Sequence, residues 1–172
     1  VSEALALGIR LRQVAVTARA MASAEGARLA AAVAEQGLSI VDVSDSVMEA
    51  MSPVASPAGV IAIADRPASS LERALEHPPQ LVVAVVDVQE PGNVGAVVRA
   101  AEACWATGVV CCGTSADPFG PKALRGSMGS ALRLPVASGV AAAEAFAAMR
   151  ARGLRLVATV PTGGLRPDAL DL

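Results

Sequence analysis

The hydrophobic pattern of the first third of the chain predicts a small α/β unit. Three short runs have the alternating or branched apolar side chains of strands, and two stretches have the period of helices. Capping and turn residues separate them. The predicted elements are a strand at 11–17, a helix at 23–36, a strand at 38–43, a short helix from residue 44 or 45 to 51 and a strand at 59–64. The unit ends near Asp65.

The second half of the chain alternates more regularly between strand and helix patterns. The predicted elements are a strand at 81–86, a helix at 93–105, a strand at 108–112, a glycine-rich basic segment at 119–130, a helix at 140–151 and a strand at 154–160. Such alternation indicates a parallel sheet with right-handed crossovers. Because ligands bind beyond the carboxyl ends of strands in these sheets, we expect site residues after Val86, Cys112 and Val160.

Residues 67–80 have the composition of a linker. Proline and serine residues surround a short helical pattern in this segment. We therefore expect two domains, at 1–66 and 81–172.

Composition narrows the functional classes. The 172 residues are 53% hydrophobic, which suits a globular chain with a substantial core. With one Trp, two Phe and no Tyr, binding of single strands by base stacking is disfavoured. No run of eighteen apolar residues and no signal-peptide pattern is present, so we expect a cytoplasmic protein without a membrane partner.

The three cysteines are expected to be reduced core residues rather than metal or redox ligands. Their number is odd, no C-x-x-C spacing occurs, and Cys104, Cys111 and Cys112 have apolar neighbours. Residues 111 and 112 should point to opposite faces of one strand. No metal site is expected.

The formal net charge is −2, yet the charges are unevenly distributed. Between Asp117 and Glu144 there is no acidic residue, whereas Lys122, Arg125 and Arg133 are all basic. This segment is a candidate anion-binding site, and the alternative is a solvated surface face.

The turn D-V-Q-E-P-G-N-V-G-A-V-V-R at 87–99 joins a strand to a helix. Asn93 is the expected N-cap, and Gly95 allows another backbone or a ligand to approach the first helical turn. One helix face is apolar, and Arg99 lies off it, so Arg99 should be exposed or face a cleft. Alternatively, Arg99 only pairs with Glu102 at i+3. Neither the G-x-G-x-x-G nor the P-loop spacing is present.

Two long motifs carry a family resemblance. Residues 86–103 begin V-D-V-Q-E-P-G-N-V-G and end R-A-A-E-A, and residues 117–136 begin D-P-F-G-P-K-A-L-R-G-S-M-G-S and end R-L-P-V. They closely resemble the first two motifs of the SpoU (TrmH-type) RNA ribose methyltransferases, of the SPOUT superfamily with its trefoil-knot fold. The resemblance implies methylation of a ribose 2′-hydroxyl by S-adenosylmethionine.

The first unit, with M-S-P at 51–53 and G-V-I-A at 59–62, is similar to the ribosomal-protein-like RNA-binding domain of many family members. The partner implied is structured RNA, with ribosomal RNA favoured over transfer RNA, and the full-length protein is expected to be a homodimer.

The third family motif, an N-E-G-x-G turn with an S-L-N run that completes the cofactor knot, is not found in this sequence. We therefore expect a fragment or a protein without its cofactor half. An alternative hypothesis is that the chain is an RNA-binding module without catalysis. A third hypothesis is that it is a doubly wound nucleotide-binding domain of another kind.

The resemblance also implies roles for individual residues. Arg99 would contact the target hydroxyl with Asn93 as its orienting partner, and Arg99 would act electrostatically because guanidinium hardly deprotonates. The expected phosphate contacts are Lys122, Arg125 and Ser127, and the expected first wall of the cofactor pocket is Ala158, Thr159 and Val160.

Overall fold

The computed structural model describes residues 1–54, 56–78, 81–166 and 169. Within them, two three-stranded sheets form in succession. The first unit consists of α1 (Ser2–Ala6), β1 (Leu11–Thr17), α2 (Ala18–Met21), α3 (Ala24–Glu35), β2 (Ile40–Val43), α4 (Asp45–Met51) and β3 (Val60–Ala64). β1 is central, parallel to β2 and antiparallel to β3. The predicted strands and the two longer helices of this unit are confirmed.

Side-chain caps fix the helix starts in the first unit. The hydroxyls of Thr17, Ser23 and Ser44 accept hydrogen bonds from backbone nitrogens at the starts of α2, α3 and α4. One face of α3 then packs through Leu29 and Val33 against the buried side chains of β1. This packing gives the unit its own apolar core.

The second unit consists of α5 (Leu71–Ala74), β4 (Val82–Val86), α6 (Pro91–Ala103), β5 (Gly108–Cys112), α7 (Pro121–Ser127), α8 (Ser130–Arg133), β6 (Val136–Val140) and α9 (Ala142–Ala151). Its sheet has the order β4-β5-β6 and is entirely parallel, which confirms the predicted fold class. β5 is buried along its whole length, as expected for a central strand with both faces covered.

Two strand predictions in this unit are wrong. β6 was missed because its sequence V-A-S-G-V contains serine and glycine, which weaken the strand pattern. The strand predicted at 154–160 does not form, since these residues make no ladder with any strand in the described part of the chain. Instead, Leu154 and Leu156 pack at the edge of an apolar cluster with α5 and α9.

The segment predicted as a linker contributes to the core of the second unit. Leu71, Ala74 and Leu75 of the α5 region are buried in the cluster on one face of its sheet. A Cβ atom on Gly108 would overlap the carbonyl oxygen of Ala74, so helix and strand are in backbone contact. The linker prediction therefore fails for α5, because the apolar side of this short helix covers β5 and β6.

Two of the three cysteines are core residues as predicted. Cys111 and Cys112 are buried in the clusters on opposite sheet faces, and burial raises the pKa of the Cys111 thiol to about 12. The prediction for Cys104 is wrong: it is exposed because it occupies the C-cap of α6. Within the described residues, no helix is long and apolar enough to cross a membrane.

Helices α6 and α7 are in backbone contact through glycine, as the sequence predicts for Gly95. A Cβ atom at Gly95 would overlap the carbonyl oxygen of Ala123 and lie 2.9 Å from the backbone nitrogen of Ser127. A Cβ at Gly126, on the facing helix, would lie 3.2 Å from the carbonyl oxygen of Gly92. The absence of side chains at this crossing sets the separation of the two helices.

Arg133 links the two units. Its guanidinium binds Glu102 of α6, with Nε 2.6 Å from Oε1, and also binds Glu3 of α1. The neighbouring Leu132 packs against the core of the first unit. The ion pair with Arg133 lowers the pKa of Glu102.

We predict that Gly95→Ala destabilises the protein by about 1–3 kcal/mol, because backbone atoms that cannot rotate away occupy the position of the new methyl group. Gly92→Ala is the matched control on the same helix, since its Cβ would meet only side-chain atoms, at 3.2 and 3.8 Å. Because alanine favours helix over glycine, the control should be as stable as wild type or up to about 1 kcal/mol more stable. Urea titration measures both, and equal stability of the two variants would contradict the contact.

We predict that Glu102→Gln flattens the acid dependence of stability. A carboxylate whose folded pKa is depressed contributes stability that is complete above its unfolded pKa of 4.5 and is lost as pH falls through the folded pKa. The thermal midpoint of wild type should therefore fall more steeply between about pH 5 and about pH 3 than that of the variant. Glu49→Gln, at an exposed carboxylate on α4, is the control. Its thermal midpoint should fall with pH as steeply as that of wild type.

Candidate functional site

The turn before α6 differs from its prediction. The helix begins at Pro91, and Glu90 is the N-cap, with its Oε1 accepting a hydrogen bond from Gly92 N at 3.0 Å. Proline suits the first helical position because its missing N–H would have no partner there. Asn93 is therefore not the cap, and lies exposed in the first turn of α6.

Arg99 is exposed, as predicted, and its contact is with the end of α7. Its Nη1 donates to the sulfur of Met128 at 3.1 Å. Met128 is 67% exposed and has a left-handed backbone with φ of 50°. The proposed Arg99–Glu102 pair does not form, because Glu102 binds Arg133. The sequence offered no signal for the Met128 contact, since methionine rarely adopts this backbone conformation.

The structure does not bring Asn93 to Arg99. They are six positions apart on one helix, which is about 9 Å along its axis. No hydrogen bond joins the two side chains in the described part of the protein. The expected orienting role of Asn93 toward Arg99 is therefore not supported by the geometry.

Lys122 and Arg125 lie on α7 with different electrostatic environments. The Nζ of Lys122 is 2.6 Å from Glu90 Oε1, and this contact lowers the pKa of Glu90. Arg125 is exposed, and no hydrogen bond or ion pair joins its guanidinium to a described residue. Arg125 also lines a cleft of about 430 Å³ between the two units.

Ser127 is fully buried, contrary to its expected contact with phosphate. Its hydroxyl donates to Leu124 O at 2.9 Å and accepts from Ala131 N at 3.4 Å. The hydroxyl thus joins the last turn of α7 to α8. Both its donor and its acceptor are used within the protein, and it does not face solvent.

We use the term α6–α7 seam for the contact of α6 with α7 and α8. Four cationic side chains belong to these three helices, and two of them are neutralised by carboxylates: Lys122 by Glu90 and Arg133 by Glu102. Arg99 and Arg125 have no carboxylate partner among the described residues. Helices α6 and α7 therefore each carry one exposed guanidinium group without a carboxylate partner, which suits contact with an anionic ligand.

The carboxyl ends of β4 and β5 meet in a polar turn, at the edge where site residues were expected. Asp87 has a φ of 54° and accepts hydrogen bonds from the backbone nitrogen and hydroxyl of Thr114 at 2.8 and 3.0 Å. These bonds lower the pKa of Asp87. A Cβ at Gly113 would overlap the Asp87 carboxylate. The sequence does not predict this turn, because no sequence pattern indicates that Asp87 has a left-handed backbone.

The expected cofactor wall at Ala158, Thr159 and Val160 is exposed and has no regular secondary structure. Its backbone groups make no backbone hydrogen bonds within the described part of the chain. Free amides beside apolar side chains are the groups that hold a purine ring and its edges. These residues fit one wall of an adenosine site. Among the described residues, no group of three or more His, Cys, Asp or Glu could hold a metal ion.

Comparison with known proteins places these features in a family. Residues 80–171 match the model of the SpoU rRNA Methylase family. The 23S rRNA (uridine(2479)-2′-O)-methyltransferase of Streptomyces viridochromogenes is 35% identical over 91 residues, which are 53% of this chain and 32% of that protein.

Two solved structures are similar over most of the chain. The crystal structure of an RNA 2′-O ribose methyltransferase aligns with a TM-score of 0.77 and 32% identity, covering 93% of this chain and 59% of the other. An rRNA methyltransferase from Sinorhizobium meliloti with bound AdoMet aligns with a TM-score of 0.71 and 26% identity, covering 87% and 54%. The chain thus spans about a third to three fifths of these relatives.

The family match covers more than half of the chain and includes β4, α6, α7 and the α6–α7 seam. The chain belongs to the SpoU rRNA Methylase family.

Proposed function

We propose that the full-length protein transfers a methyl group from S-adenosylmethionine to a ribose 2′-hydroxyl of structured RNA, with ribosomal RNA favoured over transfer RNA. The observation that carries the proposal is the exposure of two guanidinium groups without a carboxylate partner among the described residues, Arg99 on α6 and Arg125 on α7. The family match, the similar 2′-O-methyltransferases and the AdoMet-bound neighbour support it.

Arg99 is the proposed catalytic residue. A ribose hydroxyl is a weak nucleophile, so charge that develops on its oxygen must be stabilised. The Arg99 guanidinium is held at the C-terminal end of α7 by Met128, and its remaining N–H groups are available to the hydroxyl. It donates hydrogen bonds and does not take the proton, because a guanidinium has no acceptor atom, so the proton passes to solvent. S-adenosylmethionine supplies the methyl group when bound.

Asn93 and the polypeptide at 158–160 have supporting roles in this proposal. Asn93 is exposed on the same helix as Arg99, and its amide contacts the substrate rather than Arg99. Ala158, Thr159 and Val160 provide one wall for the adenosine of the cofactor through their free backbone groups. The assignment of these residues follows from the family resemblance and from their exposure.

RNA contacts are assigned to both units. Arg125 contacts phosphate through the N–H groups of its guanidinium. Lys122 contributes less to RNA binding because Glu90 already neutralises its charge. Residues 1–66 carry five Arg and seven acidic residues, so the first unit would recognise RNA by shape and backbone contacts rather than by net charge. The full-length protein is proposed to act as a cytoplasmic homodimer.

A second candidate function is an RNA-binding module without catalysis. The observation that favours it is the exposure of residues 158–160, which form no strand in the described part of the chain. The two candidates are separated by incubating the full-length protein with transcribed bacterial 23S ribosomal RNA and isotopically labelled S-adenosylmethionine. Recovery of a 2′-O-methylated nucleoside by mass spectrometry supports the enzyme. RNA binding without label transfer supports the module, and methylation on a base would contradict the proposed reaction.

We predict that Arg99→Ala lowers the rate of methyl transfer by about 10²–10³, the usual cost of removing one group that stabilises developing charge. The fold should be retained because Arg99 lies off the apolar face of α6. Single-turnover kinetics with saturating RNA and cofactor measure the effect. Arg150→Ala, an exposed arginine on α9, is the matched control with unchanged rate. Turnover near wild type in Arg99→Ala would remove Arg99 from the mechanism.

We predict that Arg125→Ala reduces the salt dependence of RNA affinity by about one phosphate contact. Lys122→Ala should reduce it less, since the amine is already paired with Glu90. Fluorescence titrations of 23S ribosomal RNA at several salt concentrations provide the slopes of log affinity against log salt. Identical slopes for wild type and Arg125→Ala would identify Arg125 as ordinary surface charge.

A further inference from the structure

Arg66 makes an unusual number of contacts for an exposed side chain. It lies just beyond β3, and its Nη1 and Nη2 bind both carboxylate oxygens of Asp117 at 3.1 and 2.8 Å. Nη2 also donates to the Ser138 hydroxyl at 3.1 Å, and the guanidinium lies 4.6 Å from the ring centroid of Phe119. All three partners belong to the second unit, so one side chain bridges the two sheets.

Asp117, which Arg66 binds, forms the turn that precedes α7. Asp117 Oδ1 also accepts a hydrogen bond from Phe119 N at 3.0 Å, and Gly120 N donates to Asp117 O at 3.0 Å. This turn leads directly into Pro121, the first residue of α7. Arg66 is therefore attached to the turn that orients the helix carrying Arg125.

The other end of the bridge is fixed in the first unit. Asp65 N donates to Arg10 O at 2.9 Å, which holds the residue before Arg66 against β1. Arg66, Phe119 and Arg125 line the same cleft between the units. A continuous set of contacts thus runs from the central strand of the first sheet to the uncompensated cation on α7.

We propose that Arg66 is a positioning residue that fixes the first unit relative to Arg125, so that one RNA can contact both. This inference rests on the proposed function, because it assigns a geometric requirement to the same RNA interface. The Arg66 and Asp117 side chains are each 49% exposed, and an exposed ion pair adds little to stability. The consequence of the bridge is therefore orientation. Arginine suits the role because its planar fork binds a carboxylate with two bonds while stacking on an aromatic ring.

The orientation can be measured without RNA. Nitroxide labels are attached at Arg28→Cys on α3 and Ala147→Cys on α9, in a Cys104→Ser background. Pulsed electron paramagnetic resonance then measures the distance between the two units. Arg66→Ala should broaden the distance distribution while the thermal midpoint stays close to that of wild type. Arg12→Ala is the matched control, because it removes an equally exposed ion pair, with Asp65, that lies within the first unit. A distribution that is as narrow in Arg66→Ala as in Arg12→Ala would overturn the inference.

The RNA experiment separates positioning from direct contact with phosphate. In titrations of transcribed bacterial 23S ribosomal RNA, Arg66→Ala should weaken affinity about threefold to tenfold with an unchanged salt slope. Arg66→Lys retains the positive charge but cannot bind both carboxylate oxygens of Asp117, so it should lose the same amount of RNA affinity. A salt slope that falls by about one phosphate in Arg66→Ala, together with normal affinity in Arg66→Lys, would make Arg66 a phosphate ligand and overturn its positioning role. If wild type binds no RNA, the proposed function fails, and the label distances still decide whether Arg66 positions the units.

Discussion

The separation of α6 and α7 is the constraint on which the candidate site depends. Gly95 and Gly126 leave no side chain between the helices, and backbone atoms fill the space. At this separation, Lys122 reaches Glu90 at one end of the α6–α7 seam and Met128 reaches Arg99 at the other. A wider crossing would move Arg99 away from Met128 at the end of α7. The glycines thus set the spacing of charged groups to which they contribute no atoms.

The pairing of charges along this contact explains how a chain of net charge −2 can present a cationic surface. Glu90 and Glu102 neutralise the cations at the two ends, Lys122 and Arg133. The pairs hold those side chains in place. Arg99 and Arg125 are then the cations of α6, α7 and α8 that have no carboxylate partner in the described part of the chain, so they are the ones available to a polyanion.

The sequence predicted the parallel sheet, the exposed arginine on α6 and the close approach at Gly95, because each depends on local periodicity or on the absence of a side chain. It did not predict β6, whose pairing with β5 is decided by tertiary contacts rather than by its own weak pattern. The family resemblance implied a phosphate contact for Ser127, yet its hydroxyl is used by the backbone at a helix junction. The Arg66 contacts connect positions more than fifty residues apart in sequence, and no local pattern reports them.

The packing of α5 determines where the protein can be divided. Leu71, Ala74 and Leu75 cover β5 and β6, although they precede the first strand of their sheet. A second unit excised from residue 81 onward would expose this apolar face and would tend to aggregate. A cut before Pro67 would keep the helix on its sheet. Among the contacts of the described residues, it would separate Arg66 from Asp117, Arg133 from Glu3, and Leu132 from the core of the first unit. The physical boundary between the units therefore lies at the end of the first sheet, ahead of the proline-rich segment.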